Sequence, residues 1–173
     1  GIFYLTQVHH LTSENASFVT SMLFVGLIVG SPVVGWFSDN IRQRKLPMIV
    51  GAAVSLAIIL ILMFVTPLSY LELLCLFFLL GFFTSTQIIS YPLIAESNSL
   101  SVTATAEGMA SVLIMGGGYS QDLFAHLLGY HWDHLYVKGV PYYSLFNYRI
   151  GLSIMPIAFI LSLMIAFFLR ETH

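Results

Sequence analysis

Apolar residues in this chain run in stretches of about twenty, broken by short polar segments, and nowhere alternate with a period of two. About twenty apolar residues is the length that crosses the hydrocarbon core of a bilayer as an α-helix. Five such stretches are predicted, from roughly Ala16 to Phe37, Leu46 to Val65, Leu71 to Ala95, Thr105 to Gly129 and Tyr148 to Leu169. Each unpaired backbone group in hydrocarbon costs several kcal/mol, so an open chain must cross as helices. The alternation that a membrane β-barrel requires is absent. The opening Gly1 to Gln7 reads as the tail of a further apolar helix, with no signal-peptide pattern, and predicts that an N-terminal part precedes it. The predicted fold class is an all-α membrane protein.

Composition agrees. The 173 residues are 58% hydrophobic and 8% charged, whereas a soluble domain carries roughly 25% charged residues to solvate its surface. A lipid surface removes that requirement. The net charge of −2 leaves no basic patch of the kind nucleic acid needs, so no nucleic-acid partner is expected. The single cysteine, Cys75, excludes an intrachain disulfide framework and reads as a lipid-facing or packed thiol.

Basic residues in short loops set orientation. Arg42, Arg44 and Lys45 follow the first span and Arg170 follows the fifth, against Lys138 and Arg149 on the other side. The Arg42 turn and the C-terminus are therefore expected to be cytoplasmic. Gln7 to Asn15, Thr66 to Tyr70 and the Tyr-rich Tyr130 to Asn147 loop then face outward.

The spans differ in polarity. The second and fifth are apolar all round, as suits lipid contact and support. In the third, Thr84, Gln87 and Tyr91 recur at helical spacing and share a face. In the fourth, Gly108, Ser111, Met115, Gly118, Asp122 and His126 do the same. Gln87 and Tyr91, with Tyr119, are candidate solute contacts; hydrogen-bonding glue between helices is the other reading of Gln87 and Tyr91. A carboxylate inside a span costs on the order of 3 kcal/mol on insertion scales. Asp122 is therefore a candidate proton-coupling residue, with His126 one turn away and in reach of it. Its other reading is a carboxylate at the wet mouth of the bundle, tied to Lys138. Pro92 predicts a kink near Ile88, and Gly116-Gly117-Gly118 permits bending or close packing. Gly26 and Gly30 predict a helix-packing face. His131, Asp133 and His134, or His9 and His10, are metal-ligand types without a helix to fix their spacing, so no metal and no cofactor is assigned. No nucleophile–base pattern, phosphate loop or dinucleotide fingerprint marks an enzyme.

Gly35-Trp36-Phe37-Ser38-Asp39, followed by Arg44-Lys45, resembles the loop signature of the major facilitator superfamily. Asn40, Arg42 and Gln43 depart from it, where the family often has Arg, Gly and a basic residue. The match covers nearly the whole chain and aligns the five spans with helices eight to twelve, the C-terminal half of such a transporter, with Gly1 to Gln7 as the stub of helix seven. Gly81 to Gln87 and Tyr91 to Asn98 are similar to bacterial members in the intraphagosomal amino-acid transporter branch. The resemblance implies gating roles for Asp39, Arg44 and Glu96. Asp39 would cap a helix of the N-terminal half and Arg44 would pair with Glu96. It also implies alternating-access transport of a small polar solute (amino acid, sugar phosphate or organic anion), coupled to protons, in the bacterial inner membrane. Its partners would be the lipid bilayer and the N-terminal half of the same transporter. A non-transporting membrane sensor on the same scaffold, and a membrane enzyme using the outer His cluster, are the alternatives.

Overall fold

The computed structural model describes residues 2–130, 132, 135–137 and 139–169. Helices dominate. α1 (Ile2–Val8), α2 (Ser13–Ile41), α3 (Lys45–Phe64) and α4 (Tyr70–Thr84) are followed by a 3₁₀ segment (Ser85–Ile89) and α5 (Ser90–Ser97). Next come α6 (Thr103–Gly116), α7 (Tyr119–Gly129), a small hairpin of β1 (Tyr136–Val137) and β2 (Val140–Pro141), α8 (Leu145–Leu152) and α9 (Ile154–Phe168). The hairpin pairs Tyr136 with Pro141 and Val137 with Val140, in a stretch expected to be loop.

Four helical stretches among the described residues are long and apolar enough to cross a membrane: Ser13–Ile41, Lys45–Phe64, Tyr70–Ser97 and Leu145–Phe168. The expected continuous span from Thr105 to Gly129 is not among them. It is two helices, of 14 and 11 residues, divided at the glycines. There Gly117 N–H bonds Ile114 O at 3.1 Å and Gly118 N–H bonds Met115 O at 2.9 Å, three residues back rather than four. Each helical glycine costs about 1 kcal/mol relative to alanine, so three in a row let the ladder tighten and break.

The third span bends where the sequence points, by a different device. Pro92 cannot donate to the Ile88 carbonyl. Upstream of it a run of hydroxyls bonds back by three residues, with Ser85 Oγ to Phe82 O at 2.6 Å and Thr86 Oγ1 to Phe83 O at 2.8 Å. The chain tightens to a 3₁₀ segment over residues 85–89 instead of kinking at a single point.

α2 packs along α4 and the 3₁₀ segment, and α3 lies between α4 and α9. Glycine makes the α2–α4 crossing. A Cβ at Gly30 would lie 2.7 Å from the Phe82 carbonyl oxygen, and one at Gly26 would lie 2.8 Å from the Phe82 nitrogen. Backbones this close gain van der Waals contact, which drives helix association in lipid where the hydrophobic effect does not. The expected packing face of α2 is thus in use.

The buried core sits toward one end of the bundle. Leu5, Val19, Leu62, Leu73 and Tyr148 meet there. The Tyr4 hydroxyl donates to the Leu62 carbonyl, joining α1 to α3. Gln7 joins α1 to the hairpin and α8. Its Nε2 donates to Pro141 O at 2.9 Å, and its Oε1 accepts from the Tyr148 hydroxyl at 2.8 Å and from Tyr143 N–H at 3.1 Å. Arg149, on the same end, donates from Nε to Met63 O at 3.0 Å and lies 5.3 Å from the Phe64 ring centre. Burial, and then the neighbouring His10, hold the His9 imidazole below its ordinary pKa. Cys75 is exposed on α4. α6 packs chiefly on α5 and α7 on α8, so Met109, Val112, Leu113 and Met115 leave a broad apolar face exposed.

Candidate functional site

The basic turn closes into a network. α2 ends with Arg42 in the left-handed region, at φ 51° and ψ 40°. Arg42 N–H bonds Asp39 O at 3.2 Å and Gln43 N–H bonds Ser38 O at 3.3 Å. These two bonds form the paired helix-ending motif in which glycine usually takes the left-handed position. Arg42 thus occupies a left-handed position at which glycine is usual. The turn places Ser38, which is fully buried, under the guanidinium of Arg44. Ser38 Oγ donates to Gln43 O at 2.8 Å and accepts from Arg44 Nη1 at 3.2 Å.

Arg44, 7% exposed, then reaches α5. Its Nη2 donates to Glu96 Oε1 at 2.7 Å and its Nε to Glu96 Oε2 at 3.4 Å, while Nη1 donates to Asp39 Oδ1 at 2.5 Å. The Glu96 carboxylate, with Asp39 adding to it, holds the guanidinium above its ordinary pKa against the opposing effect of burial. The three expected gating residues thus meet at one point. Asp39 pairs with Arg44 here. Ser38 is the member that sequence reasoning quoted but gave no role; its place in the motif, one residue before the carboxylate, was the available signal. Beside the network Lys45 Nζ donates to Phe167 O at 2.6 Å and ties the start of α3 to the end of α9.

Above this turn the 3₁₀ segment lies between two cavities. One, of about 200 Å³, holds Gln87 and Tyr91 together with Ser31 of α2 and Ser85. The Tyr91 hydroxyl is 3.4 Å from Ser111 Oγ on α6. The other, of about 430 Å³, lies between α3, the 3₁₀ segment and α9, and Gln87 lines it as well. Two of the three expected solute contacts are therefore brought together. Tyr119 is not: it stands 78% exposed on α7 and lines neither cavity. The break between α6 and α7 falls just before Tyr119. Ser31 was missed, being a lone hydroxyl in an apolar run.

Asp122 and His126 share α7, both exposed, and no hydrogen bond or ion pair joins them among the described residues. The expected pair is not formed. Lys138, the other expected partner of Asp122, lies outside the described residues, as do His131, Asp133, His134 and Arg170. Among the described residues no three His, Cys, Asp or Glu side chains are grouped to hold a metal.

Comparison with family models, with curated proteins and with solved structures returns no match.

Proposed function

We propose that this chain is the C-terminal half of a bacterial inner-membrane secondary transporter of the major facilitator type, its four spans and the broken α6–α7 pair together taking the places of helices eight to twelve. It moves a small polar solute by alternating access, driven by protons. The observation that carries the reading is the Arg44 network. An almost fully buried guanidinium ties the α2–α3 turn to the end of α5, directly below a bent helix whose Gln87 and Tyr91 face a cavity. A break in that network frees the cytoplasmic end of α5, and the 3₁₀ segment above it supplies a place to bend. Gln87 and Tyr91 contact the solute, and Asp39, Arg44 and Glu96 hold one of the two states. Asp122 and His126 carry the coupling as separate titratable groups on the exposed face of α7, which the N-terminal half would cover.

The test is uptake by cells expressing the full-length protein, over a panel of amino acids, sugar phosphates and organic acids, with and without a protonophore. Uptake that collapses with the protonophore supports the reading. No uptake across the panel, with protein present in the membrane, overturns proton-driven import in favour of an exporter or a sensor. In a transporting protein, Asp122→Asn should abolish proton-driven accumulation and spare solute exchange. Normal accumulation by that variant would remove Asp122 from the coupling step.

A further inference from the structure

We propose that the cavity between α3, the 3₁₀ segment and α9 is a binding site for an uncharged small molecule with an apolar body and a hydroxyl or amide group. Sequence reading assigned α3 and α9 to lipid contact and support, and the reading above places solute on the other side of Gln87.

The first observation is Ser55. It is fully buried, it lines the cavity, and its hydroxyl has no hydrogen-bond partner among the described residues. A hydroxyl on an apolar helix normally turns back to the carbonyl four residues earlier. Others in this chain do so: Thr20 to Ala16, Ser31 to Leu27, Thr84 to Leu80 and Ser111 to Glu107. Ser55 does not, which leaves a buried donor and acceptor uncompensated at a cavity wall.

The second observation is convergence. Gln87, from the 3₁₀ segment, and Ser162, from α9, line the same cavity as exposed polar side chains, open to whatever occupies it. One buried unpartnered hydroxyl and two exposed polar side chains, from three elements, therefore line one cavity. The remaining walls are largely apolar, with Met48, Phe83 and Phe159 among them.

The chemistry of the lining sets the class of ligand. No Asp, Glu, Lys, Arg or His is among the lining residues. A charged ligand would lose its hydration and find no counter-charge. An apolar ligand would leave Ser55 unsatisfied. A neutral molecule with one hydroxyl or amide offers Ser55 the partner it lacks. The volume of about 430 Å³ falls in the range of small-molecule sites.

The test uses purified protein in nanodiscs and ¹⁹F NMR, with 4-fluorobenzyl alcohol as probe. Two controls are 4-fluorotoluene, which lacks the hydroxyl, and 4-fluorobenzylammonium, which is charged. Empty nanodiscs correct for partition into lipid. The expected result is saturable binding of the alcohol, about fivefold tighter than the toluene, the ratio one net hydrogen bond supplies. Ser55→Ala should erase that ratio. Ala158→Leu, which fills the cavity from α9, should abolish the saturable component while circular dichroism stays unchanged. Equal binding of alcohol and toluene, an unchanged ratio in Ser55→Ala, or no saturable binding at all would each overturn the proposal. The assay reads no flux, so its failure leaves the transport reading standing, and the converse holds.

Discussion

Removing Arg44 separates two ion pairs of unequal worth. The guanidinium is 9% exposed at its side chain, the Glu96 carboxylate 26% and the Asp39 carboxylate 66%. Two charges about 4 Å apart attract by roughly 4 kcal/mol at an effective dielectric of 20, and desolvation of the arginine offsets part of that. The two-pronged contact with Glu96 is thus expected to couple by about 2 kcal/mol. The Asp39 pair is largely solvated and is expected to couple by no more than about 0.5 kcal/mol, despite its shorter distance. The measurement is a pair of double-mutant cycles, Arg44→Met with Glu96→Gln and Arg44→Met with Asp39→Asn, read by reversible SDS unfolding in mixed micelles. Methionine keeps most of the packing of the arginine stem. Arg44→Met alone should cost about 3 kcal/mol, since the bond to buried Ser38 is lost as well. A Glu96 coupling below about 0.5 kcal/mol, or an Asp39 coupling equal to it, would refute the view that burial ranks these pairs.

Arg42→Gly should raise unfolding stability by about 0.5–1 kcal/mol, because Arg42 holds a left-handed conformation that glycine adopts without strain; a loss in the same SDS titration would contradict this. Gly30→Ala should destabilise by at least about 1–3 kcal/mol, since its methyl meets the Phe82 backbone as well as the Ser85 hydroxyl, and the backbone cannot turn aside; a thermal shift assay that finds no change would show that α2 and α4 separate freely. His9 is held below its ordinary pKa, so the unfolded chain binds a proton that the folded chain refuses, and stability falls as pH drops from about 6.5 toward the depressed folded value. Thermal unfolding from pH 7.5 to 5 should show this loss in the wild type and a smaller one in His9→Gln; equal losses would remove His9 as the cause.

The sequence by itself determined that the chain is helical and built for lipid. Runs of twenty apolar residues with 8% charged residues have no other stable form, because burial of unpaired backbone in hydrocarbon is too costly. It also determined the α2 packing face, since glycines four apart leave a groove that only a neighbouring backbone fills. The meeting of Arg44 and Glu96 was legible only through the resemblance, because 52 residues separate them. Tertiary structure decided the rest. Whether glycines 116–118 bend a helix or end it depends on what packs beside them, and α6 and α7 lean on different neighbours. Tyr119, just past the break, lines neither cavity that holds Gln87, and Asp122 and His126, correctly read as one turn apart on one helix, are not joined by a hydrogen bond among the described residues. Ser55 looked like one hydroxyl on an apolar helix. That it is the one fully buried hydroxyl facing a cavity without a partner, among the described residues, follows from the positions of α9 and the 3₁₀ segment around it. Periodicity reports which face of a helix a residue occupies; only packing reports what that face meets.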